Sequence, residues 1–124
     1  ALTMLEMARK QLLPAINRYM SDLASTAATK LAVSESLSVR SETKTLAQLS
    51  KDADEMSDAI DALAAAQQEA QKLGDMTAKA NAFHDKVLPC MAALRAVADD
   101  AETVCGEEYW PLPSYSKMLH YVEN

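Results

Sequence analysis

The chain has 124 residues and a net charge of −6, with two Gly, one Phe and one Trp set among abundant Ala, Leu, Lys, Glu, Gln and Met. That length makes one domain, residues 1–124, with a modest core, and the composition is helix-forming material with almost nothing for a sheet. The acidic balance argues against a nucleic-acid surface, which needs a basic patch. No apolar run approaches the roughly 18 residues of a membrane span, and no basic-then-apolar leader opens the chain.

The first predicted helix covers residues 1–33. Its apolar stripe is Leu5, Leu12, Ile16, Tyr19, Leu23, Ala27 and Leu31. Four serines between Val33 and Ser41 compete with the backbone for hydrogen bonds, so the first connection is placed there.

The second helix, residues 41–73, has the cleanest pattern. Leu46, Leu49, Ala53, Met56, Ile60, Leu63, Gln67 and Ala70 alternate spacings of three and four, a heptad seam flanked by Lys51, Asp52, Asp54, Glu55, Asp58 and Asp61. Its start falls near Ser38 or Ser41, with Glu42 favourably placed in the first turn. Its end is predicted at Gly74, suited to a left-handed position just past the helix, and Asp75 is predicted to cap the next one. The result is a tight helical hairpin.

The third helix, residues 75–105, repeats the seam with Met76, Ala80, Phe83, Val87, Cys90, Leu94, Val97, Ala101 and Val104, stopping around Cys105-Gly106. The predicted fold is therefore all-α: an antiparallel up-down-up three-helix bundle with long helices. Leu12-Leu13-Pro14-Ala15-Ile16 and Val87-Leu88-Pro89-Cys90-Met91 share a pattern, and each proline lies well inside its helix, where it typically costs about 3 kcal/mol and bends the axis. Kinks at similar levels in the first and third helices follow. The alternative is that each proline opens a new helix.

Residues 107–124 form a tail. Glu108-Tyr109-Trp110-Pro111-Leu112-Pro113-Ser114-Tyr115-Ser116-Lys117-Met118-Leu119 holds the only Trp, and its two prolines favour an extended approach. Tyr115, Met118, Leu119 and Val122 suit a short aromatic tail helix capped by Ser114.

No constellation for chemistry emerges, so no catalytic, cofactor-binding or metal-binding residue is assigned. His84 stands beside Asp85 and His120 lies in the tail, with no His pair at i, i+4. The acidic run Asp54, Glu55, Asp58, Asp61 cannot fold into a calcium loop on unbroken helix without glycine. Met7, Met56 and His84 are the axial candidates of a haem-bundle reading, yet seven Met at helical spacing are core filling and no Cys-x-x-Cys-His exists. Cys90 and Cys105 lie roughly 22 Å apart along one helix, beyond disulfide reach, and read as buried apolar residues in a reducing cytoplasm. Neither a Gly-x-Ser-x-Gly turn nor a phosphate loop occurs.

The tail from Glu108 to Leu119 resembles the extreme C-terminus of bacterial type III glutamine synthetases. The opening Ala1-Leu2-Thr3-Met4-Leu5-Glu6-Met7-Ala8-Arg9-Lys10-Gln11-Leu12-Leu13-Pro14-Ala15-Ile16 is similar to the stretch that follows the catalytic domain in that family. Asp85-Lys86-Val87-Leu88-Pro89-Cys90-Met91, with Leu94-Arg95 and Ala98-Asp99, is similar to its penultimate helix. The likeness spans nearly the whole chain, and the middle helix is its least distinctive part.

This resemblance implies the C-terminal domain of an ATP-dependent glutamate–ammonia ligase of nitrogen metabolism. ATP and magnesium or manganese belong to the parent's catalytic domain upstream, so this part is expected to be inactive and architectural. Its implied partners are that catalytic domain and neighbouring subunits of a large ring oligomer. Leu2, Met4, Leu5 and Met7 are expected to have faced the catalytic domain. A free-standing helical interaction or sensory module is the alternative, and a cofactor-binding bundle a further one.

Overall fold

Straight-chain residues and alanine lose little freedom in a helix, and the chain follows that preference. The computed structural model describes residues 2–111, and every regular element among them is helical. Helix α1, residues 2–33, runs through Leu2–Met7, Ala8–Leu12 and Leu13–Val33. Helix α2 is Arg40–Lys72. Helix α3, residues 76–104, runs through Met76–Ala82, Phe83–Val87 and Leu88–Val104. The tail helix expected after Ser114, with Tyr115, Met118, Leu119, His120 and Val122, lies outside the described residues.

Helix α2 is the shared wall, because both α1 and α3 pack against it. Leu49, Met56, Ile60, Leu63 and Ala70 are buried along its heptad seam, facing Leu5, Ala8, Leu12 and Ile16 of α1 and Val87, Leu94 and Ala101 of α3. Burial of each large apolar side chain contributes about 1.5–3 kcal/mol. The two outer helices are therefore held chiefly by one stripe of the middle one.

Each proline is accommodated by a widened turn. The Leu13 N–H donates to the Ala8 carbonyl and the Leu88 N–H to the Phe83 carbonyl, five residues back in both cases. Each π turn ends two residues before its proline, at Leu12 and Val87. Proline has no N–H and its ring crowds the carbonyl four residues earlier, so a wider turn upstream relieves both problems. Leu13 and Leu88 stay helical at φ −63°, ψ −45° and φ −59°, ψ −44°. Each proline stands in the first turn of the α-helical segment that resumes after its π turn, Leu13–Val33 or Leu88–Val104, and the backbone before it stays helical.

The second π turn corrects the seam expected for α3. Met76 is 85% exposed and Phe83 41%, and Ala80 is exposed too. The inward positions are instead Ala78 and Ala82, then Val87, a step of five across the widened turn. An extra residue in one turn rotates everything upstream of it, so a strict three-and-four pattern selects the wrong face there. From Val87 onward the expected positions hold, with Leu94 and Ala101 buried and Cys90, Val97 and Val104 half-buried.

Two further expectations are corrected. No glycine has a positive φ, so Gly74 is not left-handed. Helix α2 ends instead at an extended Leu73, φ −72°, ψ 137°, whose N–H donates to the Ala70 carbonyl at 3.4 Å. Near the start of α1, Leu5 is buried and the half-buried Met4 and Met7 pack against the core. At the other end of α1, Leu31 is 44% exposed rather than part of the stripe.

Candidate functional site

The fold buries two acidic side chains of α2, Glu42 and Asp52. Glu42, in the first turn of α2, is buried and accepts a hydrogen bond from the Lys30 ammonium near the end of α1. That bond, then the residue's own backbone N–H, hold the Glu42 carboxyl below the ordinary carboxylate range against the opposing effect of burial. Asp52 is 1% exposed and accepts from the Gln48 amide at 3.1 Å through Oδ1, while its buried Oδ2 has no partner among the described residues. Both acids interrupt an otherwise apolar surface of α2.

The connection between these two helices is built from serines. The Ser34 N–H donates to the Lys30 carbonyl at 3.1 Å, and Ser38 Oγ accepts from the Arg40 N–H at 3.3 Å. Asp75 caps α3 as expected, its Oδ2 accepting from the Ala78 N–H at 3.0 Å.

The turn after α3 carries the densest aromatic contact. Helix α3 ends at Cys105, φ −74°, ψ 137°, and the Tyr109 N–H donates back to the Gly106 carbonyl at 2.9 Å. Tyr109 then lies against Tyr19 of α1, ring centroids 4.9 Å apart and planes tilted by 41°. Its hydroxyl donates to the Asp22 carboxylate. That hydrogen bond, followed by desolvation and the charge of Asp22, pushes the Tyr109 hydroxyl up to about 12. Trp110 is buried in the core beside this pair, and burial also pushes the Cys105 thiol up. A Cβ on Gly106 would meet Tyr19 and Tyr109 ring atoms at 3.1 Å each. Tyr109 thus folds onto α1 beside a position that only glycine fits without displacement.

A broad cleft of about 1320 Å³ opens between the start of α2 and the last turns of α3. Arg40, Lys44 and Lys51 line one wall with Ser41 and Thr45, and Asp100 and Thr103 line the other. This basic wall is unexpected in a chain of net charge −6.

The chemistry candidates weighed from sequence do not come together. His84 Nδ1 meets only Asp85 Oδ1 at 3.0 Å, and both side chains are open to solvent. Met56 is fully buried while His84 is exposed, so they share no pocket. Asp54, Glu55, Asp58 and Asp61 are all exposed along α2. Among the described residues no group of three or more His, Cys, Asp or Glu side chains is gathered as a metal site. No helix among them is long and apolar enough to cross a membrane.

Fold and site together define a helical bundle in which one part-buried ion pair, Lys30–Glu42, braces α1 against α2. Over 119 residues, 96% of its length, the chain is 31% identical to a glutamine synthetase of Butyrivibrio fibrisolvens. It spans only 17% of that protein's length, so the similarity is to a short portion of a glutamine synthetase. No family model matches the chain, and no solved structure matches it significantly.

Proposed function

We propose that this chain is the C-terminal helical domain of a type III glutamine synthetase, an architectural element of an ATP-dependent glutamate–ammonia ligase. The observation that carries this reading is the shape of the similarity. Nearly all of this chain aligns, yet it accounts for a small fraction of the relative. The domain supports the catalytic part of the same polypeptide and contributes to a large cytoplasmic ring oligomer.

Its helices run up-down-up. The Lys30–Glu42 pair across the first connection, the Lys86–Glu69 pair at 3.7 Å across the second, and the cleft joining the start of α2 to the end of α3 support that order.

ATP and magnesium or manganese belong to the parent's catalytic domain. The acidic run Asp54, Glu55, Asp58 and Asp61 does not fit a metal ion, because it is strung along an exposed face of α2 instead of converging.

The test compares glutamine synthetase activity and sedimentation of the full-length parent with those of a version ending before Leu2. A folded catalytic domain that loses activity and leaves its oligomer is the expected result. A parent that makes no glutamine would overturn the enzyme reading.

A further inference from the structure

Helix α2 carries a second heptad pattern on its outer face. Arg40, Lys44, Ala47, Lys51, Asp54, Asp58, Asp61 and Ala65 are spaced alternately by four and three, and all eight are exposed. The order of charge along them is polarised: three cations in the first half, three carboxylates in the second. A face that merely keeps a helix solvated needs charge but no such order. Arg40 and Lys44 make no ion pair among the described residues, and Lys51 reaches Glu55 only at 3.9 Å.

A helix with one basic and one acidic half is complementary to itself run backwards. From this we infer that a second copy of the chain docks here, α2 against α2, antiparallel about a two-fold axis between Lys51 and Asp54. In the longest register that places no like charges together, Lys51 of one copy faces Asp54 of the other, Lys44 faces Asp61, Ala47 faces Asp58 and Arg40 faces Ala65. Each contact occurs twice, as an isologous interface requires. Ala47 and Ala65 let the backbones approach, and the cleft behind Arg40, Lys44 and Lys51 receives the acidic turns of the second copy.

Charge here sets orientation and register more than affinity, so the association is salt-sensitive. Within one chain Lys44 and Asp61 are seventeen residues apart, roughly 25 Å along the helix, and cannot pair with each other. This inference deepens the assembly role proposed above and rests on it only for its setting.

The test is sedimentation velocity of the 124-residue chain at low and high salt, with K44E, D61K and the K44E/D61K double variant. The expected result is a dimer at low salt that salt dissociates. Each single variant weakens it by roughly tenfold, and the double variant restores it because the pair is remade with signs exchanged. Far-UV circular dichroism checks that the variants, all at exposed positions, remain helical. A chain that is monomeric at every salt concentration overturns the proposal, as does a double variant no better than the singles. A monomer that binds polyglutamate through Lys44 would also overturn it, in favour of an acidic peptide partner. None of these results alters the enzyme reading, which stands or falls on glutamine formation by the parent.

Discussion

Two helices of this molecule end in the same way and to different effect. Leu73 and Cys105 leave α2 and α3 with nearly identical dihedrals, φ −72°, ψ 137° and φ −74°, ψ 137°, and each is followed by a glycine. Around Gly74 an added Cβ would meet nothing within 4 Å, whereas at Gly106 it would press on two tyrosine rings. The backbone path is shared, so what distinguishes the glycines is what packs on them. The first is a passage between helices; the second is a seat for the ring of Tyr109.

Substitutions on the two sides break this comparison in a definite order. Trp110→Ala removes the largest side chain that the second exit brings into the core and is expected to cost about 3 kcal/mol or more in chemical denaturation, with no counterpart at the first exit. Gly106→Ala is expected to cost about 1–2 kcal/mol, because Tyr19 and Tyr109 must shift by a few tenths of an ångström to admit the methyl group.

The third effect is on pH dependence. The hydroxyl of Tyr109 titrates above its unfolded value, so its contribution is intact below about pH 10 and is lost as pH rises towards about 12. Ultraviolet titration should show one of the four tyrosines ionising late, and Tyr109→Phe should abolish that late step. Gly74→Ala sharpens the contrast from the other side. With ordinary φ and open space it is expected to be neutral or to stabilise by about 0.4–1 kcal/mol, through a less flexible unfolded chain. A loss at Gly74 equal to that at Gly106 would show that the exits do not differ as described.

The middle helix was legible in the sequence because it contains no proline, so its apolar spacing stays in phase with its turns from Leu49 to Ala70. The first part of α3 was not, since the turn at Phe83–Val87 takes an extra residue and the pattern Met76, Ala80, Phe83 follows a face that the widened turn has rotated outward. Gly74 misled for a local reason: a glycine between a helix and its successor's cap carries the same signal whether its φ is positive or negative. Gly106 reads in sequence only as a helix stop, because its crowding needs the ring of Tyr19, far away in sequence, packed against that of Tyr109. Glu42 reads as a first-turn acid and Asp52 as a flanking charge, and the burial of either, like the pairing of Glu42 with Lys30, exists only once the helices are packed. The basic cleft likewise needed the end of α3 to give it a second wall.

The paired π turns bear on how the length of this chain can change. Each is in effect a single inserted residue that the helix has absorbed without unwinding. Loss of one codon between Phe83 and Val87 would return that turn to ordinary pitch and place Ala82 four residues before Val87 instead of five, leaving residues 76–82 on the faces they now present. The same loss inside a uniform helix would carry its whole upstream length out of register with no alternative face to present. At these two turns, a continuous helix can lose one residue and keep its faces.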